Sequence, residues 1–214
     1  MAAPNAERRN PRTKKKPLIE PAGLDIGAEF RVMTDAMRGG YALANDLSDS
    51  EVVMMAASLI EQFMEFALLM RFRRKSVSRK LVADVFDGNG LLSTFSSRIS
   101  VCAALGILDE QMHHDLRIIK SVRNAFAHSP AQLHLVDFDA CLSLRLPDDE
   151  DDRPSTRDRR QRYVASCQNV VFRLSVYTTA ALAEAAVLES HAAEIVAIAE
   201  QRLTEMFAEG AAKS

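Results

Sequence analysis

The residue types with the clearest chemical potential are Arg123, Asn124 and His128, in the segment DLRIIKSVRNAFAHS at 115–129. A titratable imidazole near a permanent cation and an amide suits proton transfer beside an anion, because histidine titrates near neutrality. Their spacing decides whether they meet. Each helical residue advances 100°, so Asn124 and His128, four apart, share a face. Arg123 and His128 are five apart and diverge by roughly 140°. A straight helix does not bring them to one group. They converge if the helix frays at His128, or if a second copy supplies one of them across a symmetric interface. The plainer alternative makes Asn124 and His128 satisfied polar groups at a helix end, with Arg123 a surface ion-pair partner.

Other candidate chemistry is sparser. His113-His114 near Asp115 is the one cluster with metal-ligand types, but adjacent helical positions point apart, so no metal site is expected. Cys102, Cys141 and Cys167 are odd in number, far apart, and form no CxxC pair. That argues against a cysteine-based zinc site or a disulfide framework, and favours a reduced, cytoplasmic compartment. No cofactor motif is present.

Charge is unevenly placed. Residues 1–22 read as a disordered basic arm, with six bases against two acids. That gives the arm +4 and leaves −6 for the rest of a chain of net −2. The arm is either a solvated tail or an attractor of nucleic acid or another polyanion. Arg71, Arg73, Arg74, Lys75, Arg79 and Lys80 put six bases in ten residues. They either complement a helix C-terminus or contact phosphate. Five acids at 148–152 are followed by Arg153, Arg157, Arg159, Arg160 and Arg162, a bipolar and largely self-neutralising stretch.

The elements positioning these residues read as helices. Phe30, Met33, Met37 and Tyr41 recur on one face, and Gly39-Gly40 weakens that stretch. Ser48 and Glu51 form a capping box ahead of a long apolar helix. Val52, Met55, Leu59, Phe63, Phe66 and Met70 make its broad face, and apolar residues on its other faces predict burial nearly all round and a central place. Asp87-Gly88-Asn89-Gly90 is a loop. Leu91–Leu108 reads as a helix ended or bent by Gly106. Asp109 caps the next helix, which carries Met112, Leu116, Ile119, Val122 and Phe126 and stops at Pro130. Residues 131–147 read as an extended or looped piece and a short helix. Ser155 opens a long helix, and the spacing leaves open whether it breaks at Ser190-His191.

Composition agrees. At 214 residues the chain fits one domain with tails. Hydrophobic (48%) and charged (26%) fractions exclude a largely disordered protein. Eight glycines, seven prolines and no tryptophan leave a core of Leu, Ala, Val, Ile and Met, the composition of a helical bundle rather than a sandwich. There is no secretory signal pattern. No uninterrupted apolar run reaches 18 residues, so no membrane span is expected.

Several of these pieces occur in an order that resembles one family. They are DGNGLLSTFSSRI at 87–99, AALGIL at 103–108, DLRIIK at 115–120 and RNAFAH at 123–128. Arg123 to His128 resembles the Arg-x4-6-His motif of the HEPN superfamily, and the ordered set is similar to the bacterial mannitol operon repressor (MltR-like) family. The resemblance spans about 28–185 and is specific over 87–129. It implies an all-α, HEPN-like up-down bundle with a long C-terminal helix. The division becomes a basic arm at 1–22, an MltR/HEPN-like domain at 23–189 and a helical extension at 190–214.

For function the resemblance implies two alternatives. MltR-like proteins are regulatory, described as repressors that work through protein partners. Catalytic HEPN proteins are metal-independent, dimeric ribonucleases. By that analogy His128 would activate the ribose 2′-hydroxyl or protonate the leaving oxygen. Arg123 would stabilise the phosphorane, and Asn124 would orient His128 or the phosphate. Direct base readout is disfavoured: the helix after Gly106 begins Asp109-Glu110, the wrong sign to meet DNA. A homodimer, a regulatory protein partner, and nucleic acid held by the arm and the 71–80 cluster are the expected partners. No membrane association is expected.

Overall fold

In a computed structural model, the described residues are 23–40, 47–72, 76–129, 132–146 and 157–212. Side chains are described through 35 in the first helix, and for 159–198 and 201 in the last. The arm at 1–22, the acidic run at 148–152, Arg73, Arg74, Lys75, Pro130 and Ser155 lie outside these residues, as do the side chains of Met37 and Tyr41.

The chain is all-α as expected. Its elements are β1 (Leu24–Asp25), α1 (Ile26–Gly40), α2 (Asp49–Arg71), β2 (Ser76–Val77), α3 (Arg79–Phe86), α4 (Phe95–Ala104), α5 (Glu110–His128) and α6 (Arg159–Ala212). Two 3-10 turns, Leu135–Asp137 and Asp139–Ser143, connect α5 to α6. β1 and β2 form a minimal antiparallel pair with Leu24 opposite Val77.

Helix α2 is the hub, packing most extensively on α6 and then on α5, α4 and α1. It begins at the expected capping box: the Glu51 amide donates to Ser48 Oγ at 3.3 Å, and the Ser48 amide donates to Glu51 Oε2 at 2.8 Å. The buried face takes in Val52, Phe63 and Met70 as expected but is centred elsewhere. Val53, Ala57, Ile60, Met64 and Leu68 are its centre, while Met55 is exposed and Leu59 and Phe66 are half-buried. All-round burial holds only at the C-terminal end, where Ala67 to Met70 are all buried. Phe30 fixes α1 there, edge-on to Phe63 and Phe66 at 5.7 Å from each.

The helix expected over 91–108 is shorter. It starts at Phe95 because Thr94 Oγ1 accepts from the Ser97 amide at 3.1 Å. Leu91 and Leu92 lie in a turn instead, where the Leu92 amide donates to the Val85 carbonyl at 2.9 Å. Gly106 ends α4 with φ +70, a conformation that disfavours any side chain. Asp109 caps α5 as expected, accepting from the Met112 amide at 2.8 Å.

Helix α6 runs unbroken from Arg159 to Ala212 through Ser190 and His191, so the boundary drawn at 189/190 falls inside one helix. Asp158 caps its start, accepting from the Gln161 amide at 2.8 Å. Two helical stretches, Asp49–Arg71 and Arg159–Ile198, are long and apolar enough to cross a membrane by length and composition. Isolated charges interrupt both, so neither holds an uninterrupted apolar run of 18 residues. Half of the α2 window is buried inside this bundle, as suits a core helix.

Candidate functional site

The last two turns of α5 present Arg123, Asn124 and His128. Val122 is buried on the core side, which leaves Arg123 and Asn124 half-buried at the edge and His128 exposed. Arg123 Nη1 donates to Asn124 Oδ1 at 3.2 Å. Its Nη2 lies 3.9 Å from Glu61 Oε1 on α2. The His128 imidazole makes no hydrogen bond among the described residues. The helix ends just past it, where the Ser129 amide donates to the Ala125 carbonyl at 3.0 Å. The structure therefore brings Arg123 and Asn124 together, with Glu61 as an unforeseen third member, and leaves His128 apart. The helix stays regular through His128, so fraying does not supply the convergence.

Below this edge lies a buried centre that the sequence reading missed. Arg98 on α4 is only 6% exposed. Its Nε donates to the Leu92 carbonyl at 2.7 Å, Nη2 to the Phe86 carbonyl at 2.9 Å and Nη1 to the Glu61 carbonyl at 3.0 Å. Nη1 also lies 3.3 Å from Glu65 Oε2, and the guanidinium sits 5.3 Å from the Phe86 ring centroid. One planar cation thus ties α2, the end of α3 and the 87–94 loop together. Burial raises the Glu65 carboxyl pKa, Arg98 opposes that rise, and Asp87 adds to it. Glu61 links the two sets, its carbonyl holding Arg98 and its carboxylate facing Arg123.

A second buried carboxylate, Asp115, joins α5 to α6 and the connecting turns. It accepts from Ser166 Oγ at 3.2 Å and from the Arg145 amide at 3.3 Å, and His114 Nδ1 lies 3.1 Å away. His113 does not join it, and no group of three metal-ligating side chains occurs among the described residues. A detectable signal marked both buried charges. Arg98 falls in phase with Phe95, Ile99 and Cys102, and Asp115 with Met112, Leu116 and Ile119. A charge on the core phase of an apolar stripe must be buried and paired.

The thiols are poor nucleophiles. Burial pushes Cys102 up to about 12 and Cys141 up to about 11, and raises Cys167 further, so the reactive thiolate is scarce at neutral pH. Tyr163, fully buried beside Cys167, is likewise pushed well up by burial.

The described part of the basic cluster, Arg71, Arg79 and Lys80, is exposed. Arg79 Nη2 is paired with Glu29 Oε1 at 3.3 Å. A shallow groove of about 250 Å³ between α1 and α2 is lined by Glu29, Val32, Met33, Gln62, Glu65 and Phe66. Its two carboxylates give it an acidic wall, and none of Arg123, Asn124 and His128 lines it. At the start of α5, Asp109 carries an ion pair with Arg173 of α6. Burial raises its pKa, but the Met112 amide and Arg173 outweigh that and leave the carboxyl pKa lowered.

Comparison with family models, with curated proteins and with solved structures returned no match to this chain.

Proposed function

We propose that this chain is a regulatory protein of the MltR-like kind, cytoplasmic, dimeric, and acting through a protein partner rather than by reading bases or cleaving RNA. One observation carries the reading: Arg123 is engaged by Asn124 and Glu61 and makes no hydrogen bond to His128. A ribonuclease of the HEPN type needs the imidazole and the guanidinium on one scissile phosphate. A carboxylate facing the guanidinium offsets the charge it would offer there. The start of α5 supports the same reading against DNA contact, since Asp109 and Glu110 put carboxylates at the end that would enter a groove and no lysine or arginine of that first turn offers a phosphate contact.

The second reading, a metal-independent ribonuclease using Arg123, Asn124 and His128, has one observation in its favour. His128 is exposed at a helix end, where a second copy can reach it. The 71–80 cluster and the basic arm are then its RNA contacts.

The test is affinity capture of the tagged full chain from a nuclease-treated lysate of its own host, read by mass spectrometry. The regulatory reading expects one protein retained in stoichiometric amount. Recovery of nucleic acid alone from an untreated lysate, with no protein in the treated one, contradicts it.

A further inference from the structure

Helix α6 changes character halfway along. Its first half buries Tyr163, Cys167, Val170, Leu174 and Thr178 on the bundle. At 100° per residue, the same stripe continues through Ala185, Leu188, Ala192, Ile195 and Val196. Ala185 is still partly buried. From residue 186 to 198 every position is exposed, Leu188 at 45%, Ile195 at 66% and Val196 at 54%. An amphipathic helix draws most of its stability from what its apolar face packs on, so this stripe calls for a cover.

Charge indicates which cover. Between 183 and 212 the sequence holds six glutamates and one base, Arg202. A second copy of the stripe would set glutamates against glutamates. Residues 1–22 carry the opposite sign, +4.

Position and reach agree. The arm enters the fold at Gly23, immediately before β1, and a Cβ placed on Gly27 would lie 3.5 Å from Leu182 Cδ2. The arm therefore starts close to the point where α6 leaves the bundle. An extended chain covers about 3.3 Å per residue and a helix about 1.5 Å. Leu18 and Ile19 then come level with Ala192, between Leu188 and Ile195. Lys14, Lys15 and Lys16 come level with the helix from roughly 197 to 202, the stretch holding Glu200.

We propose that the basic arm of residues 1–22 docks along the projecting half of α6 in the same molecule, Leu18-Ile19 on the apolar stripe and the lysines on its glutamates. The test uses the full chain with a nitroxide on Ala193→Cys, the three native thiols being buried. Amide signals of residues 12–19 are expected to lose most of their intensity through paramagnetic broadening. They are expected to recover it when Glu200 and Glu209, which flank the stripe at 100° per residue, are changed to Lys. Broadening is expected to return when Lys14, Lys15 and Lys16 are also changed to Glu. Three results overturn the proposal: sharp arm signals beside the label, broadening that survives the glutamate reversal, or broadening only on mixing spin-labelled with isotope-labelled copies. The last would assign the stripe to a second copy.

Discussion

Arg123 Nη2 stands 3.9 Å from Glu61 Oε1, so the arginine of the Arg-x4-His segment faces the central helix rather than its own histidine. Both side chains are partly exposed, and such a pair contributes about 0.2–1 kcal/mol. In urea unfolding, Arg123→Ala and Glu61→Gln should each cost about 1 kcal/mol or less, with a coupling energy of the same small size. His128→Ala should stay within about 0.5 kcal/mol of the parent. A large loss from His128→Ala would mean the imidazole is structural.

Arg98 is the residue whose loss should matter most. Arg98→Met removes the donor to three carbonyls and strands the Glu65 carboxylate, with an expected cost of about 3–5 kcal/mol. Arg98→Lys should recover little of it, because one ammonium cannot reproduce a planar fork with five donors. Denaturant midpoints at constant slope check both.

Gly90 and Gly106 should fail for different reasons. A Cβ on Gly90 would lie 2.4 Å from the Val85 carbonyl oxygen, so backbone must move. Gly106 has open space around it but sits at φ +70. Gly106→Ala should cost about 1–2 kcal/mol, and Gly90→Ala more. Gly106→Asn should cost less than Gly106→Ala, because asparagine tolerates that region better. Calorimetric melting of the three variants orders them.

The pH dependence has a definite sign at Asp109. Its carboxyl pKa is lowered below the ordinary 3.8 in the folded chain. The folded state thus binds fewer protons there, and the stabilisation is complete above that pH and lost as pH falls through the folded value. Glu65 runs the other way. Its raised carboxyl pKa contributes stability that is full below 4.5 and lost as pH rises through its folded value. Urea midpoints from pH 3 to 7 should show Asp109→Asn losing least at the acid end, because the contribution it removes diminishes as pH falls below 3.8 towards the folded value.

The sequence announced the helix starts because caps are local chemistry. Ser48 with Glu51 and Asp109 with the Met112 amide need only neighbours three residues away. It misjudged the start of α4 because Leu91 and Leu92 are apolar and continue a helical pattern, while the deciding group is the Thr94 hydroxyl. Of the face that periodicity selects on α2, Val52, Phe63 and Met70 are buried and Met55, Leu59 and Phe66 are not, since its apolar residues run almost all round and only contact with α4, α5 and α6 selects the buried ones. Arg123 and Asn124 were found by type, but Glu61 was not. It lies 62 positions away on another helix, and only the packing of α5 on α2 brings it close.

Whether Arg123 and His128 act together on a phosphate is the central question. The direct measurement incubates purified full-length protein and its His128→Ala variant with RNA in excess chelator and analyses the fragment ends. The account predicts no cleavage above the buffer control by either protein. Fragments ending in 2′,3′-cyclic phosphate, formed by the parent and abolished by His128→Ala with the fold intact, would contradict it.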